Sequence, residues 1–188
     1  MTRGLLAVLV VLMAGCASAP RTLPPSRFAG STVAVAPAQN LTSHPVRLPA
    51  IWLGDNLGAA DALEGESLDL GLALRAALLA ELRSRGYTAQ AAEDGSGLTL
   101  HCALTEFEAA ELRRTGVMRL GVAVVLAQDR REVARGVASR DYRLFEKPPE
   151  EAGALGAQRL IESRVLGFVE LLAREALDAA RLVPDGRN

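Results

Sequence analysis

The sequence predicts an α+β domain in which a single mainly antiparallel sheet carries two helices on one face, in the order β-α-β-β-β-β-α. Three observations favour this fold class. Three long segments alternate between apolar and polar residues with the period of a strand, two others repeat apolar residues with the period of a helix, and Gly or Pro residues separate most of these segments. An apolar content of 49% in 188 residues is sufficient for one core.

The first strand and the first helix are predicted from their ends. Thr32–Ala36 is a short apolar and β-branched run that a proline follows. Leu68–Arg85 is predicted as a helix, with Ser67 as its N-cap and Gly86 as the residue that stops it. Arg75 lies near the middle of its apolar face, where we expect it to extend to the rim or to pair with a carboxylate. The leucines expected on that face are Leu68, Leu72, Leu74, Leu78, Leu79 and Leu82.

Four strands and a helix follow. Tyr87–Ala91 is a short strand, and the alternating segments Leu98–Glu108, Val117–Gln128 and Glu132–Phe145 predict a consecutive antiparallel meander. The last helix is expected over Glu150–Leu182. Its apolar stripe is predicted to contain Ile161, Val165, Phe168, Val169, Leu172 and Ala176.

The motifs of metal and cofactor sites are missing from the sequence. His44 and His101 lie far apart, and no HExxH, CxxC, Walker A or dinucleotide-binding pattern is present, so we predict no metal and no cofactor. His101 and Cys102 are strand neighbours that point to opposite faces, which excludes a Cys–His nucleophile pair. We expect Cys102 to be a buried thiol and the protein not to be an enzyme.

Two charged clusters leave alternatives open. Glu106 and Glu108 share one strand face, so catalysis by paired carboxylates is conceivable, but a solvated strand edge is the favoured interpretation. The pair Arg130 and Arg131 at a hairpin tip is placed to meet phosphate groups, although a charged turn explains it equally well. The formal net charge of −1 gives no indication of nucleic acid as a partner.

The long segment Gln39–Glu66 shows little periodicity and is interrupted by Pro and Gly. Within it, an apolar stretch contains Ile51, Trp52 and Leu53, including the only Trp of the chain. Two interpretations compete: a flap folded over the sheet edge, or an exposed anchor for a partner or a membrane surface. We name these three residues as the candidate partner contact.

The amino terminus has the layout of a bacterial secretion signal. A positive residue precedes the apolar run Leu5–Ala14, which is shorter than the roughly 20 residues of a membrane-spanning helix. Met13, Ala14 and Gly15, followed by Cys16, resemble the lipobox that the lipoprotein signal peptidase recognises. That resemblance implies cleavage before Cys16 and a diacylglyceryl group on its sulfur.

Two other interpretations of this terminus remain. Ordinary cleavage after Ala19 would follow an A-x-A pattern, but Pro20 would then follow the scissile bond and make a poor protease substrate. An uncleaved anchor would need a longer apolar run. The predicted organisation is a signal peptide over 1–15, a lipidated Cys and Pro-rich linker over 16–31, one α+β domain over 32–184 and a tail over 185–188.

Beyond the lipobox, the runs TVAVAPAQNLT, LRAALLAELRSRGYTA and LTLHCALTEFE with its following hairpin are similar to small envelope lipoproteins. The layout resembles YajG-type lipoproteins and the auxiliary lipoproteins of ABC-type transport systems. It also resembles the amino-terminal domains of curli-secretion and penicillin-binding-protein-activator lipoproteins. The resemblance implies a noncatalytic role, attachment to a membrane through lipid, and a protein partner in an envelope complex. Ala17 after the lipidated Cys implies the outer membrane, facing the periplasm.

Overall fold

The computed structural model describes residues 28, 30–42, 47–48, 68–92, 97–108, 115–146 and 153–182, the side chains of 47–48 and 153–158 excepted. These residues form eight strands and two helices. The strands are β1 (Thr32–Val35), β2 (Gln39–Asn40), β3 (Arg47–Leu48), β4 (Leu68–Asp69), β5 (Thr88–Ala91), β6 (Leu98–Glu108), β7 (Val117–Gln128) and β8 (Arg131–Arg143). The helices are α1 (Leu70–Ser84) and α2 (Gly153–Ala179).

The main sheet has the order β5-β1-β6-β7-β8, with β2 beside β6, and β3 and β4 form a separate pair. The α+β class with two helices is confirmed, and β6, β7 and β8 form the expected antiparallel meander. The sheet is mixed, because β1 lies parallel to both β5 and β6. Helix α1 connects β1 to β5, and a helical crossover of this kind returns the chain parallel to the strand it left.

The core lies between the sheet and the two helices. The inward side chains of β7 are fully buried, as the alternation predicts, and they are Met118, Leu120, Val122, Val124 and Leu126. Five of the six residues of the predicted α2 stripe are also buried, and Ile161 is half-buried. Tyr142 of β8 stacks on Phe168 of α2 with ring centroids 4.6 Å apart. The inward side chains of the strands and the apolar stripe of α2 therefore form one core.

Helix α1 differs from the prediction at its start. Its N-cap is Asp69 and not Ser67, because Leu68 and Asp69 form β4 and the helix begins only after that strand. The Asp69 carboxylate accepts hydrogen bonds from the backbone N–H groups of Gly71 at 2.8 Å and Leu72 at 3.1 Å. The expected apolar face is therefore wrong at Leu72, which is 68% exposed, and Leu70 and Ala77 complete the buried face.

The other end of α1 agrees with the sequence. Gly86 has φ +86° and its N–H donates to the carbonyl of Arg83, while the N–H of Tyr87 donates to the carbonyl of Leu82. Arg75 has no carboxylate partner among the described residues and bonds to backbone carbonyl groups instead. Its guanidinium donates to the carbonyl of Val35 at 2.9 and 3.1 Å and to that of Ala92 at 2.9 Å, which joins α1 to the ends of β1 and β5.

Neither α1 nor α2, as far as the structure describes them, has an apolar stretch long enough to cross a membrane.

Candidate functional site

Most residues of the predicted sites lie outside the described residues. These are the lipobox residues Met13, Ala14, Gly15 and Cys16, the candidate partner contact Ile51, Trp52 and Leu53, and His44. The structure does place the two ends of the segment that carries the partner contact. Strands β3 and β4 pair Arg47 with Asp69 and Leu48 with Leu68, so residues 49–67 leave and rejoin the described fold beside the first turn of α1.

His101 and Cys102 point to opposite faces of β6, as predicted. His101 is exposed on the face of the sheet that carries no described helix, and Cys102 is 3% exposed within the core. The Cys102 thiol lies 3.7 Å from the carbonyl oxygen of Ala36. Loss of hydration on burial raises the pKa of Cys102 to about 11, and the positive charge of Arg75 opposes this only in part. A thiol in this state is a small apolar side chain and not a nucleophile.

The open face of the sheet, which carries no described helix, holds a network of charged side chains across β6, β7 and β8. Arg119 donates to both carboxylate oxygens of Asp141, at 2.7 and 3.1 Å, and lies 3.9 Å from Glu108. Glu106 accepts a hydrogen bond of 2.7 Å from the hydroxyl of Ser139. The two glutamates of the sequence prediction therefore share one face, each with a partner on another strand.

This network has the chemistry of a solvated surface. The hydrogen bond from Arg119 lowers the pKa of the Asp141 carboxyl, and Glu108 is 71% exposed. A general acid needs a raised carboxyl pKa, which burial or a second carboxylate supplies. Beyond Leu104, no described strand pairs with the other edge of β6, which agrees with the favoured interpretation of Glu106 and Glu108 as a charged strand edge.

Across the part of the chain that the structure describes, no three His, Cys, Asp or Glu side chains lie close enough to hold a metal ion.

The basic hairpin tip has an unusual backbone. Asp129 and Arg130 form the turn between β7 and β8, with φ values of +49° and +66°, the pattern of a two-residue type I′ turn. Arg130 and Arg131 are exposed. A third exposed arginine, Arg181, has φ +59° where α2 ends, in the position that Gly occupies after α1. Sequence analysis did not single out Arg181, because an arginine carries no signal for a positive φ.

Arg85, which is only 3% exposed, was not predicted as a site residue from the sequence. Its guanidinium lies 2.9 Å from the carboxylate of Glu81 and 2.8 Å from that of Asp178, and it donates to the carbonyl of Leu182. The one available signal was Glu81, four residues earlier on the same helix face.

Comparison with known proteins identifies no family: no family model matches the chain, and no curated protein matches it. Among solved structures, the PelC dodecamer from Paraburkholderia phytofirmans has a TM-score of 0.46 at 14% identity, covering 86% of this chain and 93% of that one. A minor lipoprotein from Acinetobacter baumannii has a TM-score of 0.38 at 12% identity, covering 86% and 99%. Lipoprotein GNA1162 from Neisseria meningitidis has a TM-score of 0.37 at 14% identity, covering 73% and 97%. At these identities and scores, none of the similarities assigns a function to the chain.

Proposed function

We propose that this protein is a noncatalytic, membrane-anchored lipoprotein that acts as an accessory or scaffold subunit of a bacterial cell-envelope complex. The observation that carries the proposal is the sequence Met13-Ala14-Gly15-Cys16 directly after the short apolar run Leu5–Ala14. The acyl chains on Cys16 hold the mature protein at a membrane, since each buried CH₂ contributes about 0.8 kcal/mol and two chains make attachment stable.

The linker and the residue after Cys16 support a place at the periplasmic side of the outer membrane. Ala17 is not the Asp that retains enterobacterial lipoproteins in the inner membrane. Residues 16–31 contain three prolines, and a chain of this kind extends by about 3.1 Å per residue, a reach on the order of 40 Å. The linker therefore lets the domain meet a partner without straining the lipid attachment.

Partner binding is the role that the described surface supports best. The open face of the sheet presents the Arg119–Asp141 ion pair and, on the same face, Val137, which is 56% exposed. The apolar residues Ile51, Trp52 and Leu53 belong to the segment whose ends β3 and β4 hold beside α1. An aromatic residue in an apolar patch is a typical anchor of a protein interface. We assign the partner contact to these three residues.

Metabolic labelling with a palmitate analogue tests the anchor. We expect label on the native chain, no label on Cys16→Ser, and full label on Cys102→Ala, because the Cys102 thiol is buried in the core. Equal labelling of the native chain and Cys16→Ser would contradict the anchor.

Crosslinked affinity purification from membranes tests the scaffold role. We expect envelope proteins to be recovered with the native chain and lost with Cys16→Ser. Trp52→Ala should fold and lose the partner, whereas Leu72→Ala, which also truncates an exposed apolar side chain, should keep it. Recovery of the chain alone in every sample would contradict the scaffold role.

A narrower alternative is an auxiliary lipoprotein of an ABC-type lipid transport system, which the resemblance of the early strand and first helix favours. Neighbouring genes for a permease, an ATPase and a substrate-binding lipoprotein would support this alternative, and their absence would count against it. The remote alternative is a periplasmic enzyme that uses Glu106 and Glu108. Any hydrolase activity that survives Glu106→Gln and Glu108→Gln would remove those residues from consideration.

A further inference from the structure

The chain leaves the domain towards its amino terminus at one end of the sheet. Thr32 pairs with Thr88, and the register places Val33 beside Leu98 and Leu98 beside Gln128. With about 4.8 Å between neighbouring strands, the turn after Gln128 lies roughly 10 Å from the start of β1. The N–H of Asp129 in that turn donates to the carbonyl of Gly97, just before β6.

The end of α2 lies at the same end of the domain. Arg85 at the end of α1 donates to the carbonyl of Leu182, and three residues later the N–H of Thr88 donates to the carbonyl of Ser31. One end of the domain therefore contains the start of β1, the β7–β8 turn and the last turn of α2. We call this surface, defined by Ser31, residues 129–131 and residues 181–182, the tether end.

The tether end carries three exposed arginines: Arg130, Arg131 and Arg181. None of them has an ion-pair partner among the described residues. Asp129 is the acidic residue of the turn itself. The next acidic residue along the chain, Glu132, is already paired with Arg135 at 2.7 and 3.1 Å. As far as the structure describes the chain, the three guanidinium groups have no carboxylate partner and can bind an anion.

Two of these arginines also occupy backbone positions that do not favour arginine. Arg130 has φ +66° and Arg181 has φ +59°, where Gly or Asn is the usual residue and a larger side chain strains the backbone. Gly86 occupies the equivalent position at the end of α1. Strained backbone positions cluster at functional sites, so these two arginines are candidates for a functional side chain.

We propose that Arg130, Arg131 and Arg181 bind the phosphate groups of an anionic lipid surface and hold the tether end of the domain against the membrane. This inference rests on the proposed lipid anchor, since the chain between Cys16 and Ser31 delivers that end to the bilayer. Guanidinium groups bind phosphate oxygens through paired N–H donors. Each cationic side chain near an anionic surface strengthens binding about fivefold, and the tether makes such weak contacts effective by raising the local concentration of lipid.

The opposite end of the domain supplies a matched control. Arg143 ends β8, twelve residues after Arg131, and is exposed. Arg159 is exposed towards the start of α2, beyond the turn where Arg164 donates to the carbonyl of Leu144. A domain held by its tether end keeps both residues away from the lipid.

The test measures binding of the full mature chain with Cys16→Ser to vesicles of equal parts phosphatidylglycerol and phosphatidylcholine at low salt. This chain lacks the acyl group, so the measurement is independent of the anchor. We expect Arg130→Gly with Arg181→Gly to weaken binding about 25-fold, and Arg131→Gln to weaken it about fivefold more. Glycine at both positions relieves the positive φ, so the fold is retained and thermal unfolding should not occur at a lower temperature.

Arg143→Gln with Arg159→Gln removes the same charge at the far end and should change binding less than twofold. Binding should also disappear on vesicles of phosphatidylcholine alone and decrease with added NaCl. Equal losses from the two double variants, or equal binding to both kinds of vesicle, would overturn the inference. Acylation of Cys16 without arginine-dependent binding overturns this inference and leaves the proposed function, whereas arginine-dependent binding without acylation overturns the anchor and keeps the surface.

Discussion

The guanidinium of Arg85 lies 2.8 Å from the carboxylate of Asp178 and joins the end of α1 to the end of α2. Arg85 is 3% exposed and also contacts the carboxylate of Glu81 and the carbonyls of Leu182 and Arg174. A cation near the carboxyl end of a helix interacts favourably with the helix dipole. One side chain thus joins the ends of the two helices.

Arg85→Ala should lower the free energy of unfolding by about 3 kcal/mol, because it leaves Glu81, Asp178 and two carbonyl groups without their common donor. Asp178→Asn should cost about 1 kcal/mol or less, since the Asp178 side chain is 45% exposed and the guanidinium keeps its other partners. Urea denaturation of both variants measures the difference. Equal losses would show that the ion pair with Asp178, and not the whole cluster, stabilises this corner.

At Gly136, β8 lies close against α2. A Cβ atom there would lie 1.9 Å from the carbonyl oxygen of Ala176 and 2.7 Å from the backbone nitrogen of Ala180, and neither can move without moving the helix. Gly136→Ala should therefore lower the free energy of unfolding by about 3 kcal/mol, measured by denaturant unfolding.

Gly167, within α2, is the matched control. A Cβ atom there meets nothing within 4 Å, so Gly167→Ala should raise the free energy of unfolding by up to about 1 kcal/mol through helix propensity. If Gly136→Ala proved as well tolerated, the close packing of β8 on α2 would be incorrect.

The parts of the fold that were predictable are those with long, regular periods. The alternation predicted Leu98–Glu108 and Val117–Gln128 with the bounds that the structure has, because the period of a strand persists over most of each segment, although β6 has a register shift between Leu104 and Glu106. The stripe of α2 was equally clear. In each case many residues carry the same signal, so no single position decides the outcome.

The failures depend on contacts distant in sequence. The N-cap of α1 is Asp69 and not the predicted Ser67, because Leu68 and Asp69 pair with β3. Strand β3 lies about twenty residues earlier, and two residues are too few to show the period of a strand. Arg75 finds backbone carbonyls and Arg85 finds another helix, and no local pattern indicates either partner. The lipobox and the Trp52 segment remain predictions, since they lie outside the described residues.

Tyr87 is a place where a polar atom weakens the core. It is 4% exposed, and its hydroxyl is buried without a hydrogen-bond partner among the described residues. Tyr87→Phe removes an unsatisfied group and keeps the ring, so it should leave the free energy of unfolding unchanged or raise it by about 1 kcal/mol. Thermal and urea unfolding measure this change. A loss of 1 kcal/mol or more would show that the hydroxyl has a partner.

The free energy of unfolding should depend on pH in the alkaline range because of Cys102. Burial raises its pKa to about 11 from the ordinary value of 9.0, with Arg75 opposing the shift. As pH rises, the unfolded chain loses this proton before the folded chain does, so the stabilisation is complete below about pH 9 and is lost between about pH 9 and 11. The loss should reach about 2 kcal/mol, measured by urea unfolding as a function of pH.

Cys102→Ala isolates this effect, because it removes the titrating group while other alkaline transitions remain. The difference in slope between the native chain and Cys102→Ala over pH 9 to 11 belongs to the thiol. Both chains should carry Cys16→Ser, so that a maleimide reagent reports on Cys102 alone. At pH 8 we expect no reaction in the folded chain and full reaction in urea, since a buried neutral thiol must be exposed before it can ionise. Rapid labelling of the folded chain would show that the core around Cys102 opens without global unfolding.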